Sequence, residues 1–333
     1  MADARVIRWG IIGCGDVTEV KSGPGFQKAS HSALVAVMRR DGARARDYAA
    51  RHGVARWYDD ADALIGDPGV DAVYVATPPH VHHEYVVRCA AAGKPVYVEK
   101  PMAMNAVECE AMIAACRAAG VPLFTAYYRR AMPKFVRIKA LLDAGRIGEV
   151  RAVHTVLHKP HVAVPGSLPW RVDPRIAGGG LFVDLAPHTL DFLDYALGPI
   201  AAVTGSAANQ GGHYPAEDVV SARFTFAAGA HGVGVWTFAA GCDIDRTEIV
   251  GSAGRLAFST FGDDPILVES AAATETIEVA RPPHVQQPLI QTIVDTLRGQ
   301  GSCPSTGESA LRTTRVTDAV LRDYYAVPPS SAP

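Results

Sequence analysis

Short apolar segments alternate with longer amphipathic segments in the first part of the chain. The apolar segments are rich in β-branched and aromatic residues, which is typical of strands, and glycines such as Gly53 and Gly93 end the helical segments between them. Strands separated by helices indicate crossover connections, so this pattern predicts a doubly wound parallel sheet, an α/β fold. The predicted strands are 5–12, 33–38, 71–76, 96–98 and 122–126, and the predicted helices are 16–29, 41–52, 59–65, 80–92 and 106–119.

The pattern changes after residue 131. Most later segments have strand character and are separated by short turns, with one strong helical stretch at 185–197. Such a run of strands favours antiparallel pairing and predicts an α+β domain with one large, open, mostly antiparallel sheet. The change of pattern predicts a first domain at 1–125, a second at 126–326, and a disordered tail at 327–333.

Composition narrows the classes of function. The chain has 333 residues, of which 48% are apolar and 20% charged, and a formal net charge of −2, so no basic surface suggests nucleic acid. No apolar run has the length of a membrane span, and the first residues lack the segments of a secretory signal. The six cysteines are scattered without metal-type pairs. We therefore expect a cytoplasmic protein that acts on a small molecule, with neither nucleic acid nor membrane as partner.

A glycine-rich turn follows the first predicted strand. Gly13 and Gly15 lie in this turn, and Asp16 and Val17 begin the helix that follows. Glycines let the backbone approach a pyrophosphate, which the N–H groups at the start of a helix then bind. Thr18 occupies the third position of the G-x-G-x-x-G pattern, and an ordinary strand–helix turn is the alternative interpretation.

The end of the second strand bears on the choice of cofactor. Enzymes that use NAD usually carry an acidic residue there for the ribose 2′-hydroxyl, whereas this chain has Arg39 and Arg40 followed by Asp41. Two guanidinium groups suit a 2′-phosphate by charge and by bidentate geometry. We therefore expect NADP(H) to be favoured over NAD(H). The alternative is that both arginines are solvated and Asp41 caps the next helix.

Two further strand ends carry residues that we expect to contact the cofactor. Lys100 ends the strand at 96–98 and lies between Glu99 and a proline, in a sheet whose carboxyl edge binds ligands. A lysine near a nicotinamide can hydrogen-bond a substrate hydroxyl and pass its proton. The residues predicted to bind the cofactor at these ends are Thr77, Pro78, His82, Glu99 and Lys100.

A second cluster follows the glycine run at 178–180. Asp184 and His188 are spaced i, i+4, which places them on one face of a helix. A carboxylate that orients an imidazole is a common acid–base arrangement. The alternative is that Asp184 only caps the helix and His188 is a buried, satisfied histidine.

The candidate substrate residues are Trp170, Arg171 and His154. A tryptophan offers an apolar face to a sugar ring, and the arginine beside it offers donors for hydroxyl groups. His154, His158 and His161 lie on or near one strand but lack a carboxylate at metal-binding spacing, so we expect no metal site.

Together these motifs resemble the Gfo/Idh/MocA oxidoreductases, the family of glucose–fructose oxidoreductase and inositol dehydrogenase. The resemblance implies an NADP(H)-binding Rossmann domain at 1–125 and a domain at 126–326 that binds the substrate and forms subunit contacts through its large sheet. It also implies a catalytic set of Lys100, Asp184 and His188, and a cis peptide bond before Pro101. The matching segments are 13–15, 73–78, 82, 84, 93–95, 99–101, 145–148, 170–171, 178–180, 184 and 188.

The family resemblance also implies an activity. It implies a dehydrogenase or reductase, homodimeric or homotetrameric, that moves a hydride between a nicotinamide and a secondary alcohol or ketone of a sugar or polyol. The Trp-Arg pair and the arginines after the second strand look most like the 1,5-anhydrofructose reductase branch. Two alternatives stay open: a catalytically silent protein that senses NAD(P), and an enzyme that uses bound NAD(P) for non-redox glycoside cleavage.

Overall fold

The computed structural model describes residues 5–161 and 168–326, so the tail predicted to be disordered lies outside the described residues. Contacts group the chain into two compact units, Met1–Met132 with Pro282–Leu311 and Pro133–Arg281 with Arg312–Pro333. The linear division predicted from the sequence placed residues 282–311 in the second domain. They group with the first unit because the helix that they contain packs on a helix near the N-terminus, where Ile290 contacts Gly25.

The first unit is built on a parallel six-stranded sheet. The strands are β1 (Ile7–Ile12), β2 (Ser32–Met38), β3 (Arg56–Tyr58), β4 (Ala72–Val75), β5 (Val96–Val98) and β6 (Leu123–Thr125). Their spatial order is β3-β2-β1-β4-β5-β6, and every pair is parallel. This is the doubly wound order of dinucleotide-binding sheets, in which ligands bind between β1 and β4, where the order reverses. The predicted Rossmann architecture is confirmed.

Helices cover both faces of this sheet, as expected for parallel strands that are buried on both sides. In the described part of the chain, no helix combines the length and apolarity that crossing a membrane requires. The helices of the chain are α1 (Asp16–Val20), α2 (Gly23–Lys28), α3 (Gly42–His52), α4 (Ala61–Ile65), α5 (His82–Ala91), α6 (Ala106–Ala118), α7 (Pro133–Asp143), α8 (Pro174–Ala177), α9 (Leu181–Leu197), α10 (Gln287–Leu297) and α11 (Gly307–Ala326).

The second unit is built on a large open sheet, as predicted. Its strands are β7 (Val150–His158), β8 (Ile200–Ala208), β9 (Val219–Phe226), β10 (His231–Thr237), β11 (Ile244–Gly251), β12 (Gly254–Phe258), β13 (Ile266–Ser270) and β14 (Thr274–Ile277). The order is β14-β13-β12-β11-β7-β10-β9-β8, and only the β7–β10 pair is parallel among these strands. Buried and exposed residues alternate along β9 and β10, so one face of the sheet packs on the core.

Two local predictions need correction. The single helix predicted at 16–29 is two helices, because Gly23 and Pro24 begin a new helix at α2. A Cβ at Gly23 would lie 2.2 Å from the Thr18 carbonyl oxygen. The backbone at Gly23 can therefore approach that of Thr18 at this turn only because glycine has no side chain. The edge strand β3 was missed because it has only three residues and its Trp57 is exposed, which leaves no apolar run to detect.

Asp67 stabilises the edge of the first sheet through hydrogen bonds and an ion pair. Its buried carboxylate accepts from the Gly69 N–H at 2.7 Å and the Tyr58 hydroxyl at 2.9 Å, and it pairs with Arg56 Nε at 3.1 Å. Burial alone would raise the pKa of Asp67, but these hydrogen bonds and the charge of Arg56 outweigh it and hold the pKa below its usual value.

We expect Asp67→Asn to lower the free energy of unfolding by about 1–2 kcal/mol at pH 7, because an amide cannot serve these donors as a carboxylate does. The folded pKa lies below the unfolded value of about 4, so this stabilisation is present above pH ~4 and is lost as the pH falls through the folded pKa. The difference between wild type and variant, measured by urea unfolding, should therefore shrink as the pH falls below about 4.

Asp59→Asn is the matched control, because Asp59 is a nearby exposed aspartate. We expect its unfolding free energy to stay within about 0.5 kcal/mol of wild type. Equal losses in the two variants, or a difference for Asp67→Asn that does not depend on pH, would contradict the role given to Asp67.

Candidate active site

The carboxyl ends of the inner strands meet at one edge of the first sheet. Ile12 pairs with Met38 of β2 and with Val75 of β4, and Val75 pairs with Val98 of β5. The residues that follow these strands therefore leave the sheet at the same edge, where doubly wound sheets bind their ligands. The predicted cofactor residues at this edge are Gly13, Gly15, Arg39, Arg40, Thr77, Pro78, Glu99 and Lys100.

The glycine turn after β1 approaches the loop after β4. Gly13 has a φ of +88°, and a Cβ there would lie 2.7 Å from the Thr77 side chain, so only glycine fits. At Gly15 the nearest atoms to a Cβ would lie 3.9 Å away, which leaves space over the turn. The turn leads into the first residues of α1, Asp16 and Val17. Within the described residues, the buried Thr77 hydroxyl has no hydrogen-bond partner in the protein. This open turn fits the pyrophosphate of NAD(P).

Arg39 lies beside the glycine turn. Its Nη1 donates to the Cys14 carbonyl oxygen at 3.3 Å, and its side chain is half-buried, whereas Arg40 is exposed. Asp41 caps α3 by accepting from the Arg44 N–H at 3.2 Å. The acidic side chain at this strand end is therefore engaged by a helix, and the Arg39 guanidinium lies beside the turn.

The Lys100–Pro101 peptide bond is cis, as the resemblance implied. The Lys100 N–H donates to Glu99 Oε2 at 3.1 Å. Oε1 of the buried Glu99 accepts from the Tyr74 hydroxyl and from Gln286 Nε2, the latter at 2.6 Å. This geometry favours a supporting role for Glu99, beneath the loop that carries Lys100, over the direct cofactor contact predicted from the sequence.

The network beneath Lys100 includes residues that the sequence analysis missed. The Tyr97 hydroxyl donates to Gln286 Oε1 at 2.8 Å. Burial raises the pKa of both Tyr74 and Tyr97 well above the usual value, so both hydroxyls stay protonated donors. Gln286 stands 187 residues from Glu99 in the chain and belongs to no motif, so no local pattern pointed to it.

His82 joins two of the loops at this edge. It is completely buried, with Nε2 2.7 Å from the Thr77 carbonyl oxygen and Nδ1 3.0 Å from that of Pro101. Burial lowers the pKa of His82, which the nearby carbonyl oxygens offset only in part. Because both ring nitrogens face the protein backbone, the geometry favours a supporting role for His82 over the predicted cofactor contact.

In the second unit, α9 carries Asp184 and His188 one turn apart. The helix begins at Leu181 rather than at 185, and its N-terminal Gly180 donates its N–H to Glu217 Oε1 at 2.8 Å. A Cβ at Gly180 would lie 2.6 Å from the Glu217 carbonyl oxygen. The glycine at this position therefore permits close packing against the protein itself.

Glu217 is a buried support that the sequence analysis did not identify. Tyr325 donates its hydroxyl to Glu217 Oε2 at 2.5 Å. Burial raises the pKa of Glu217, against the opposing effect of the hydrogen bonds from Tyr325 and Gly180. The carboxyl group thus anchors the first turn of the helix that carries the candidate acid–base residues.

Arg171 lies beside Asp184, and its guanidinium lies over the ring of Trp170. The Arg171 guanidinium stands 4.4 Å from the Trp170 ring centroid, and its Nε lies 3.7 Å from Asp184 Oδ2. His188 is buried, and its ring centroid lies 5.7 Å from that of Phe261 in an edge-to-face arrangement. The second unit thus places an aromatic ring, a cation and a carboxylate in contact, and an imidazole one turn further along the helix that carries the carboxylate.

His154 does not belong with this group. It pairs with Val233 of β10 and is exposed, whereas the neighbouring Val153 is buried. The opposite face of β10 carries the buried Trp236, which packs edge-to-face on Phe182 of α9. His154 therefore points away from the face that α9 covers, and this geometry does not favour the predicted substrate contact.

Two other predictions concern the absence of a metal site and the convergence of Lys100, Asp184 and His188. In residues 5–161 and 168–326, no group of three or more histidine, cysteine, aspartate or glutamate side chains is arranged to hold a metal ion. Lys100 belongs to the first unit, and Asp184 and His188 belong to the second. Their convergence on one substrate atom stays a prediction.

Comparison with known proteins identifies the family. The family model described as "Oxidoreductase family, NAD-binding Rossmann fold" matches residues 7–127, and the model of the "GFO/IDH/MocA C-terminal domain" matches residues 135–257. "Oxidoreductase P35" of Formosa agariphila is 38% identical over 317 residues, which are 94% of this chain and 97% of that protein.

Two further similar proteins have names that state an activity. The 1,5-anhydro-D-fructose reductase of Ensifer adhaerens is 33% identical over 227 residues, 67% of this chain and 66% of that protein. The crystal structure of an aldose–aldose oxidoreductase from Caulobacter crescentus superposes with a TM-score of 0.86 at 26% identity, over 97% of this chain and 98% of that one. The chain therefore belongs to the Gfo/Idh/MocA family and is an NAD(P)-dependent oxidoreductase.

Proposed function

We propose that this enzyme transfers a hydride between NADP(H) and a secondary alcohol, or the matching ketone, of a sugar or polyol. The observation that carries the proposal is the placement of Arg39 and Lys100 at the same carboxyl edge of the first sheet, where the glycine turn also lies. Similarity to a 1,5-anhydro-D-fructose reductase and to an aldose–aldose oxidoreductase supports the substrate class.

Each candidate residue has a distinct task in this proposal. When bound, the nicotinamide supplies or accepts the hydride. Lys100 hydrogen-bonds the reacting oxygen of the substrate, and His188 exchanges the proton with that oxygen as general acid–base. Asp184 orients the imidazole of His188. Trp170 and Arg171 form an apolar face and a donor for the sugar.

The cofactor is held by the residues around the glycine turn. Gly13 and Gly15 keep the turn free of side chains, and the first N–H groups of α1, at Asp16 and Val17, bind the pyrophosphate. Arg39 and Arg40 bind the ribose 2′-phosphate, and Thr77 and Pro78 border the cofactor from the end of β4.

We expect Lys100→Met and His188→Gln each to lower kcat by roughly 10²–10⁴-fold, because each removes a group that moves or shares the proton. The measurement is NADPH absorbance during turnover of 1,5-anhydro-D-fructose and a panel of aldoses and polyols, with NADPH and NADH compared. The affinity for NADPH, measured by fluorescence titration, should change by less than about threefold for Lys100→Met, since the remaining cofactor contacts are intact.

Lys139→Met is the control, because Lys139 forms a surface pair with Asp143 at 2.8 Å and should leave kcat unchanged. Wild-type turnover by Lys100→Met would remove Lys100 from the mechanism. Product formation without net conversion of NADPH would replace the proposal by non-redox chemistry on the same fold.

A second prediction concerns cofactor preference. Arg39→Ser should weaken NADPH binding by roughly 10–100-fold and leave NADH binding nearly unchanged, because a charge-assisted contact to the 2′-phosphate is lost. Isothermal titration with both cofactors measures this difference. Arg46→Ser, at an exposed position of α3, is the matched control. Tighter binding of NADH than of NADPH by the wild type would refute the assignment.

We also propose that the exposed face of the second sheet pairs with another copy of the chain. Val233 and Val235 on β10 are 51% and 39% exposed, and Ile244 on β11 is 40% exposed. The central strand β7 lies between β10 and β11, and its His154 and His158, which are on one face, pair with Val233 of β10 and with Ile244 of β11, so these side chains share one broad face. An exposed apolar sheet face of this kind is typical of a protein interface.

We expect Val235→Arg to weaken self-association at least tenfold, because it places an unpaired charge in the apolar interface. Light scattering after size-exclusion chromatography measures the mass as a function of concentration. Val107→Arg is the control, since Val107 is 74% exposed on α6. A monomeric wild type, or an unchanged assembly in Val235→Arg, would exclude this interface.

A further inference from the structure

A short loop of the second unit touches α9 at the candidate acid–base residue. Residues 259–262 follow β12, and we refer to them as the 259–262 loop. The Phe261 ring packs edge-to-face on His188, with centroids 5.7 Å apart and planes at 83°. The next residue of α9, Thr189, donates its hydroxyl to the buried Thr260 hydroxyl at 3.0 Å. The loop therefore contacts two successive residues of the helix.

One end of β11 holds the backbone of this loop. The Asp245 carboxylate accepts from the N–H groups of Thr260, Phe261 and Gly262, at 2.9, 2.6 and 3.1 Å. Three hydrogen bonds from consecutive backbone donors to a single carboxylate are charge-assisted and leave the loop little freedom. These bonds fix the backbone of Phe261, the middle residue of the three, and so the position from which its side chain leaves the loop.

A buried lysine of α7 holds the same loop from another direction. Lys134 Nζ donates to the Ser259 carbonyl oxygen at 2.9 Å, to the Ser259 hydroxyl at 3.0 Å and to the Gly262 carbonyl oxygen at 3.2 Å. An ammonium group has three donors, which matches these three acceptors. A charge buried in this way requires such contacts, and these three hydrogen bonds hold the two ends of the loop.

We propose that Phe261 is a positioning residue for the His188 imidazole, and that Asp245 and Lys134 fix Phe261 by clamping the 259–262 loop. The aromatic edge-to-face contact limits the orientations open to the imidazole and shields one side of it from water. Phe261 itself is only half-buried, so the loop presents an apolar surface beside His188. This inference rests on the proposed role of His188 in proton transfer.

The test compares Phe261→Ala with Phe261→Tyr, which keeps the ring. With the panel substrate that the wild type converts fastest, Phe261→Ala should lower kcat roughly tenfold and change the KM for NADPH less than twofold. Phe261→Tyr should stay within about twofold of wild type. Equal kcat values for wild type and Phe261→Ala would overturn the proposal.

A readout that needs no turnover is the rate at which diethyl pyrocarbonate carbethoxylates His188, followed by peptide mass spectrometry at fixed pH. The rate should rise several-fold in Phe261→Ala and stay at the wild-type value in Phe261→Tyr, since the ring shields the imidazole. An unchanged rate in Phe261→Ala would show that Phe261 neither shields nor orients His188.

Asp245→Asn tests the clamp, and Asp243→Asn is its matched control because Asp243, two residues earlier, is exposed and pairs with Lys159 at 2.6 Å. Asp245→Asn should lower kcat and raise the carbethoxylation rate, and both effects should vanish in the Phe261→Ala background. Effects of undiminished size there would show that Asp245 does not act through Phe261.

These experiments distinguish failure of the positioning role of Phe261 from failure of the proposed function. If His188→Gln keeps wild-type turnover, the catalytic assignment fails, while the carbethoxylation rates still decide whether Phe261 positions the imidazole. If His188→Gln loses turnover and Phe261→Ala does not, the catalytic assignment stands and the positioning role of Phe261 is refuted.

Discussion

The parallel pairing of β1 with β4 is the constraint on which the candidate cofactor site depends. Its register sets Ile12 beside Val75, so the turn after β1 and the loop after β4 leave the sheet at one level. The two segments approach so closely at Gly13 that a Cβ would collide with Thr77. Since the strand order reverses between β1 and β4, the space over this turn stays open to a ligand. The positions of Arg39 and Lys100 follow from the same alignment.

Polar side chains from distant segments hold the groups that the chemistry needs. Glu99 and Gln286 lie beneath Lys100, Glu217 holds the first turn of α9, and Asp245 holds the 259–262 loop against His188. Glu99, Glu217 and Asp245 each accept from at least two donors. A buried carboxylate such as that of Glu99 or Glu217 is unfavourable unless several donors reach it. These hydrogen bonds form only when the loops adopt one conformation. Catalysis requires that the reacting groups be held in one geometry in the same way.

Local patterns predicted much of this arrangement. Strand–helix alternation gave the six-stranded sheet apart from the short β3, and the i, i+4 spacing put Asp184 and His188 on one helix. The supports were missed because Gln286 and Glu217 stand in segments without periodicity or motif. The sequence could not place His154 relative to α9 for another reason: alternate residues of a strand face opposite sides, and the sequence does not show which of the two faces α9 covers.

Each unit supports its candidate residues with its own contacts. The hydrogen bonds that join Lys100, Glu99 and Gln286 lie within the first unit, and the Thr189–Thr260 hydrogen bond beside His188 lies within the second. Substitutions at distant residues that share no partner change the free energy of unfolding nearly independently of one another. The residues proposed to contact the sugar, such as Trp170 and Arg171, are distinct from these supports, so they can change without disturbing them. This separation gives a physical reason why one fold carries oxidoreductases with differently named sugar substrates.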